Sequence, residues 1–201
     1  MTSETLILFP TPVTFNSIGR PFTESEIDYM NTLERKPNEN NSCGTNAYLL
    51  DAPEMLSIRN TIQKAIEEYK KEVLNPKDDL DISITTSWAN WTDTNESHHE
   101  HKHPNSFLSG VLYISTVAGD SITFSNPIDS HFQIETKEFS SLNARTFDAN
   151  VSTGEIVIFP STLTHKVKTR KAVGGTRVSI AFNTYPKGFI GDDQLKTGVS
   201  L

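Results

Sequence analysis

Six histidines are spread very unevenly over the 201 residues: four fall in Ser97-His98-His99-Glu100-His101-Lys102-His103-Pro104, and another stands apart at His165. Imidazole is the commonest protein ligand for a transition metal, and a tight cluster with one distant partner is a way for a β-scaffold to close a metal site. On an extended segment alternate side chains share a side, so His99, His101 and His103 point one way and Glu100 and Lys102 the other. Pro104 restricts the residue before it to extended conformations and so helps hold His103. Twelve residues beyond His165, Arg177-Val178-Ser179 opens an apolar strand on which Arg177 and Ser179 share parity. A guanidinium beside a hydroxyl suits a carboxylate. Buried without an anion that arginine would be costly, which implies an acidic small molecule near the metal.

The elements that must position these groups divide the chain. Residues 1–80 read as a helical N-terminal support and 81–190 as a β core, together one domain spanning 1–201. Thr23 with Glu26 forms a capping-box pattern for a short first helix. Asp51-Ala52-Pro53-Glu54 reads as the start of a second, whose apolar stripe of Met55, Ile58, Ile62, Ala65, Tyr69 and Val73 would pack on the outside of a sheet until Asn75-Pro76 ends it. The polar segment Lys36 to Thr45 reads as loop. After Asp81 the period changes to two: Ile82, Ile84, Thr86 and Trp88 alternate with Ser83, Thr85 and Ser87. Further strands are expected over 107–115, 121–124, 155–159, 165–168 and 177–183, with turn residues between them and no intervening helix. The fold class expected is mainly β, a double-stranded β-helix (jelly roll) with the N-terminal helices outside.

Composition narrows the function classes. A net charge of −7 with no block of five or more like charges disfavours nucleic acid as a partner. No stretch approaches the roughly 20 apolar residues of a membrane helix, and the N-terminus lacks the basic start of a signal peptide. The single Cys43 reads as an ordinary thiol, and a cytoplasmic protein, with a homodimer left open, is the expectation.

Several ordered motifs carry a resemblance. Trp88-Ala89-Asn90, His101-Lys102-His103-Pro104, Ser109-Gly110-Val111-Leu112-Tyr113, Phe159-Pro160-Ser161-Thr162-Leu163-Thr164-His165 and Arg177-Val178-Ser179-Ile180-Ala181-Phe182-Asn183 are similar to those of a family of Fe(II)- and 2-oxoglutarate-dependent oxygenases. The likeness runs over about residues 83–185, with a weaker echo in Leu8-Phe9-Pro10-Thr11-Pro12-Val13. It implies iron held between two sheets, with His165 as the distal ligand. It also implies Arg177 and Ser179 gripping the far carboxylate of 2-oxoglutarate, with Tyr113 assisting. O2 and 2-oxoglutarate would be consumed to hydroxylate a primary substrate that the sequence does not name.

One departure stands out: the superfamily usually has Asp or Glu two residues after its first histidine, where this chain has His103 after His101. The iron face could be His101, His103 and His165; or His98-x-Glu100 could restore a carboxylate; or His99 could pair with His101. A solvated loop is the simplest account of clustered histidines alone, but His165 and Arg177 argue against it. His131 reads as a surface residue, Lys166, Lys168 and Arg170 as a solvent face, Trp88, Trp91 and Phe107 as core, and Gly119-Asp120 as a turn. Specificity would reside in the 36–45 segment and the 127–150 insertion. Two other function classes remain: a cupin-like metalloenzyme (isomerase or dioxygenase), which needs no Arg177-x-Ser179, and a non-catalytic jelly-roll binding protein, which needs none of the histidines.

Overall fold

The computed structural model describes residues 4–128, 134–169 and 174–201. His131 and Arg170 lie outside the described residues. The β core runs as β4 (Leu80–Thr92), β5 (His98–His101), β6 (Leu108–Ser115), β7 (Ser121–Ser125), β8 (Thr146–Asn150), β9 (Glu155–Pro160), β10 (His165–Val167) and β11 (Arg177–Ile190). Successive strands alternate between two antiparallel sheets except at the β7–β8 hairpin: β9-β6-β11-β4 form the centre of the larger sheet, and β5-β10-β7-β8 form the smaller. This is the expected double-stranded β-helix. A short β12 (Val199–Ser200) pairs with the end of β11.

Residues 4–80 are not wholly helical, because β1 (Thr14–Ser17), β2 (Arg35–Asn38) and β3 (Asn41–Gly44) extend the larger sheet. β2 and β3 form a hairpin across the segment read as loop, with Asn40 in the left-handed region (φ 61°). Its polar side chains hide it from a periodicity argument, since an edge hairpin is held by backbone pairing and not by a buried face. At the other insertion, residues 146–150 are β8, paired along its length with β7.

The first helix, α1 (Glu24–Thr32), starts as expected: Thr23 caps it, Glu26 closes the capping box, and the buried Glu26 carboxylate also takes Arg20 at 2.5 Å. The second start differs. Leu49–Asp51 and Pro53–Met55 are separate 3-10 turns, α2 (Leu56–Tyr69) begins later, and a π-helical turn over Lys70–Leu74 ends at Asn75 with φ 42°. Asp51 caps nothing and instead accepts from Arg59 Nη1 at 2.6 Å. The stripe itself behaves as expected. Ile58, Ile62, Ala65, Ile66 and Tyr69 pack with Ile82, Ile84, Ile156, Ile180 and Phe182 on the outer face of the larger sheet. Each such aliphatic burial is worth about 1.5–3 kcal/mol.

A second cluster, with Tyr113, Ile122, Phe124, Val157, Phe159 and Leu163, fills the space between the sheets. The split is set by strand parity, and a bulge matters to it. β11 pairs Thr184 with Ile84 but Asn183 with Thr86, so Thr85 is skipped. Before the bulge Ile82 and Ile84 face the helices, and after it Ala89 and Trp91 do. Thr86 and Trp88 therefore do not share a face with Ile84, as unbroken alternation would require. Trp88 and Asn90 are turned toward the smaller sheet, where both line a cleft. Trp91 is core, with Arg35 stacked 4.2 Å from its ring centre. Trp88 is only half-buried and Phe107 is exposed.

Gly110 explains the small residue in Ser-Gly-Val-x-Tyr. A Cβ there would lie 2.2 Å from Phe182 Cζ and 2.7 Å from the Val157 carbonyl oxygen. Both are fixed, one in a fully buried ring and one in a paired strand. We expect Gly110→Ala to lose at least about 1–3 kcal/mol of unfolding free energy in a denaturant titration; a variant as stable as the parent would contradict this packing.

Candidate metal centre

The histidines converge at the edge of the smaller sheet. β5 and β10 pair His101 with His165 and His98 with Val167, so three steps along β5 match two along β10. That bulge brings His98 and His101 to the same cleft despite their odd spacing. His99 instead has Nδ1 3.7 Å from Glu39 Oε2 of the β2–β3 turn. The parity expected for His99, His101 and His103 thus fails at His99. His103 lies beyond the end of β5, where its N–H donates to Ser161 O at 3.1 Å. Two histidine triads have ligand atoms within 4.8 Å of one another among the described residues: His101, His103, His165, and His98, His99, His101.

The chemistry of the first triad favours a cation. His101 Nδ1 is 2.8 Å from His99 O and His165 Nδ1 is 3.0 Å from Leu163 O, so each Nδ1 carries the proton it donates and each Nε2 is left with a lone pair. His103 Nε2 approaches His165 Nε2 to 3.3 Å, the two rings being nearly parallel at 8°. Asn183 lies beside the His103 side chain and holds its pKa up against the effect of burial. Asn183 is itself fixed by Ser109 Oγ, which donates to its Oδ1 at 3.0 Å. Burial, which disfavours the charged form, pushes His165 down to about 3 and His103 to about 4, and lowers His101. Neutral imidazoles are the form that ligates.

Because burial also takes His98 down to about 3, the metal-free protein should show a defined pH response. These groups gain protons only on unfolding between about 3 and their ordinary value of 6.5. Unfolding then binds protons, so stability falls as pH drops below 6.5. Melting curves in a chelator should shift down between pH 6.5 and 5; a flat profile there would count against neutral, buried imidazoles.

Glu100 is exposed and turned away, with Lys166 Nζ at 2.7 Å and Ser125 Oγ at 3.2 Å. The Lys166 hydrogen bond holds its carboxyl below the usual range. Lys166 and Lys168 pair outward with Glu100 and Asp148, the latter at 2.7 Å, as a solvent face should.

Across the cleft, one row of the larger sheet places Asn90, Ser179 and Tyr113 side by side on β4, β11 and β6, with Arg177 two residues from Ser179. Arg177 is buried and stands 4.9 Å from the Tyr113 ring centre, a cation–π contact. Burial lifts the Tyr113 hydroxyl to about 12. Arg177 Nε, Tyr113 Oη and Asn90 Oδ1 are buried without a hydrogen-bond partner. The expectation that only a bound acid could compensate Arg177 needs correcting. Asp120 Oδ1 lies 3.5 Å from Arg177 Nη1, both side chains being buried. Sequence reasoning took Asp120 for a turn residue. Gly119 does turn there (φ 72°), but a carboxylate next to a positive-φ glycine carries no sign that the fold will bury it.

Comparison with known proteins decides between the classes. The model of a family described as "Putative 2OG-Fe(II) oxygenase" matches residues 86–183. Over this stretch the chain is similar to that family. The match spans the histidine cluster, His165 and Arg177, and points to 2-oxoglutarate/Fe(II)-dependent oxygenase activity. No curated protein sequence matches the chain. Solved structures similar in fold to this chain include HygX from Streptomyces hygroscopicus with nickel and 2-oxoglutarate bound (13% identity, 87% of this chain, 82% of that one, TM-score 0.58). A 2OG-Fe(II) oxygenase-family oxidoreductase from Burkholderia pseudomallei is similar at 13% identity (80% and 76% covered, TM-score 0.55). A Pseudomonas putida prolyl-4-hydroxylase is similar at 11% (87% and 92%, TM-score 0.53). At these identities the likeness is one of fold. Among the described residues no helix is long and apolar enough to cross a membrane.

Proposed function

We propose that the protein is a hydroxylase in which His101, His103 and His165 hold Fe(II) and Arg177, Ser179 and Tyr113 receive the far carboxylate of 2-oxoglutarate. The observation that carries this is the convergence of three imidazoles, the ligand atoms of His101, His103 and His165 lying within 4.8 Å of one another and His103 Nε2 3.3 Å from His165 Nε2. Bound iron would supply the redox chemistry that couples oxidative decarboxylation of 2-oxoglutarate, with O2, to hydroxylation of a second substrate.

The chain's own residues supply geometry. The carbonyls of His99 and Leu163 set which ring nitrogen is free on His101 and His165. Arg177 offers a planar fork and Ser179 a hydroxyl from one strand face, so an acid held there is oriented along the cleft toward the histidines. Phe159 and Phe124 pack against His165, at 4.7 and 6.3 Å between ring centres, and keep its protein-facing side dry. Trp88, half-buried at 5.8 Å from the His103 ring, is placed to meet a primary substrate.

The test is succinate release. Purified protein incubated anaerobically with Fe(II) and 2-oxoglutarate should show a visible absorption band and, once O2 is admitted, release succinate. Neither band nor turnover would overturn the reading. Substitutions separate the ligand sets: we expect Glu100→Gln to leave iron affinity within about twofold, since an exposed ion pair contributes little, and His103→Ala to lower it by more than about tenfold. The reverse order would make Glu100 the ligand.

A further inference from the structure

We propose that Asp120 is an internal counter-anion of Arg177, competing with the incoming carboxylate and so setting the affinity and selectivity of the pocket for dicarboxylate 2-oxo acids. The proposal rests on the reading above, that Arg177 receives the far carboxylate of 2-oxoglutarate.

Asp120 is fixed by its own backbone. Its N–H donates to Val117 O at 3.1 Å and its carbonyl accepts from Val151 N at 3.0 Å, which pins the residue at the entry to β7. The Oδ1 atom that faces Arg177 at 3.5 Å also accepts from Ser121 N at 3.0 Å. Well-formed guanidinium–carboxylate bonds run near 2.7–2.9 Å. The pair is therefore close enough to neutralise charge but too long to saturate the guanidinium. The remaining contacts agree: Nη1 reaches Ser121 O only at 3.4 Å, Nε is buried with no partner, and the third neighbour is the face of the Tyr113 ring. Arg177 thus has its charge compensated while it keeps donors free.

That combination has a consequence for binding. With Asp120 present, the Arg177 charge already has a carboxylate beside it, and a second carboxylate entering beside the same guanidinium meets repulsion from the first. With an amide in its place, the arginine is left buried and uncompensated until the ligand arrives. Breaking such a pair is costly to the free protein, and a ligand that restores the charge balance recovers that cost as tighter binding. Asp120 therefore stabilises the ligand-free state and weakens capture. The effect is confined to ligands with a far carboxylate, because only they bring charge to Arg177.

Calorimetric titration of Mn(II)-loaded protein in the absence of O2 tests this, with 2-oxoglutarate and with 2-oxopentanoate, which has the same chain length but no far carboxylate. For Asp120→Asn we expect about tenfold tighter binding of 2-oxoglutarate and little change for 2-oxopentanoate. The variant should also melt lower than the parent when ligand-free and gain more in melting temperature from 2-oxoglutarate. Equal or weaker 2-oxoglutarate binding by a folded variant overturns the proposal. If Asp120→Asn does not fold, Asp120→Ser takes its place, and the parent protein gives an independent readout. The Arg177 Nε–H resonance should shift strongly on 2-oxoglutarate binding and little with 2-oxopentanoate; the same shift with both would overturn it. Failure of the underlying reading looks different: the parent would not bind 2-oxoglutarate at all, and Arg177→Ala would titrate identically.

Discussion

Replacing His165 by alanine should lower Fe(II) affinity by well over 100-fold and abolish succinate release, because losing even an outer partner of a metal ligand costs about 10–100-fold. His165 is the one proposed ligand delivered by a strand remote from the cluster, and its backbone position is fixed by pairing with His101 on one side and Phe124 on the other. The remaining described histidines all come from the 98–103 segment. The substitution also empties space against Phe159, so some loss of stability is expected. His165→Gln keeps more of that volume and serves as the control: it should melt closer to the parent and still fail to hold iron. Competition against a chromogenic chelator reads the affinity and thermal melting reads the fold. Retained Fe(II) affinity in folded His165→Ala would remove the triad from consideration and leave His98, His99 and His101 as the set to test.

Arg177→Ala is the second large effect, and it should appear in two measurements at once. The KM for 2-oxoglutarate should rise about 100-fold, the ~2.7 kcal/mol expected for removing a charge-assisted fork from a carboxylate. Turnover at saturating 2-oxoglutarate should fall far less, since the guanidinium binds the end of the molecule remote from the metal. Stability should drop as well, by about 3–5 kcal/mol, because Asp120 would be left as a buried carboxylate without its counter-charge. The double variant Arg177→Ala/Asp120→Asn separates the two: it should recover much of the stability and none of the 2-oxoglutarate affinity. Recovery of both would mean that Arg177 acts only as a structural partner of Asp120.

How much of this was legible beforehand follows from the range of the interactions involved. Period-two alternation located the first core strand, though not its break at Thr85, and turn residues bounded the strands after it. The Thr23–Glu26 capping box and the Ile58–Tyr69 stripe are interactions between residues three or four apart, and both are present. The motif residues His101, His103, His165, Arg177, Ser179 and Tyr113 do come to one region of the fold. The β2–β3 hairpin was illegible because its strands are polar and are held by their neighbours' backbones. The start of α2 was misread because Asp51 and Pro53 satisfy a helix signal that a pair of 3-10 turns satisfies equally.

By itself, the sequence determined the scaffold and the chemical inventory of this protein: a β core with helices outside it, a histidine cluster with a remote partner, and an arginine–serine pair on one strand face. Those properties rest on side-chain type and on spacings of two to four residues, which local sterics convert directly into sides and faces. Only the tertiary structure decided which members of the inventory meet. One bulge in β5 turned His98 inward and another at Thr85 turned Trp88 and Asn90 toward the cleft, since an extra residue in a ladder reverses the parity of all that follows. Pairing across strands sent Glu100 outward to Lys166 and brought Asp120, 57 residues before Arg177 in the chain, against its guanidinium. Such choices depend on which backbone lies alongside, and no local pattern encodes that.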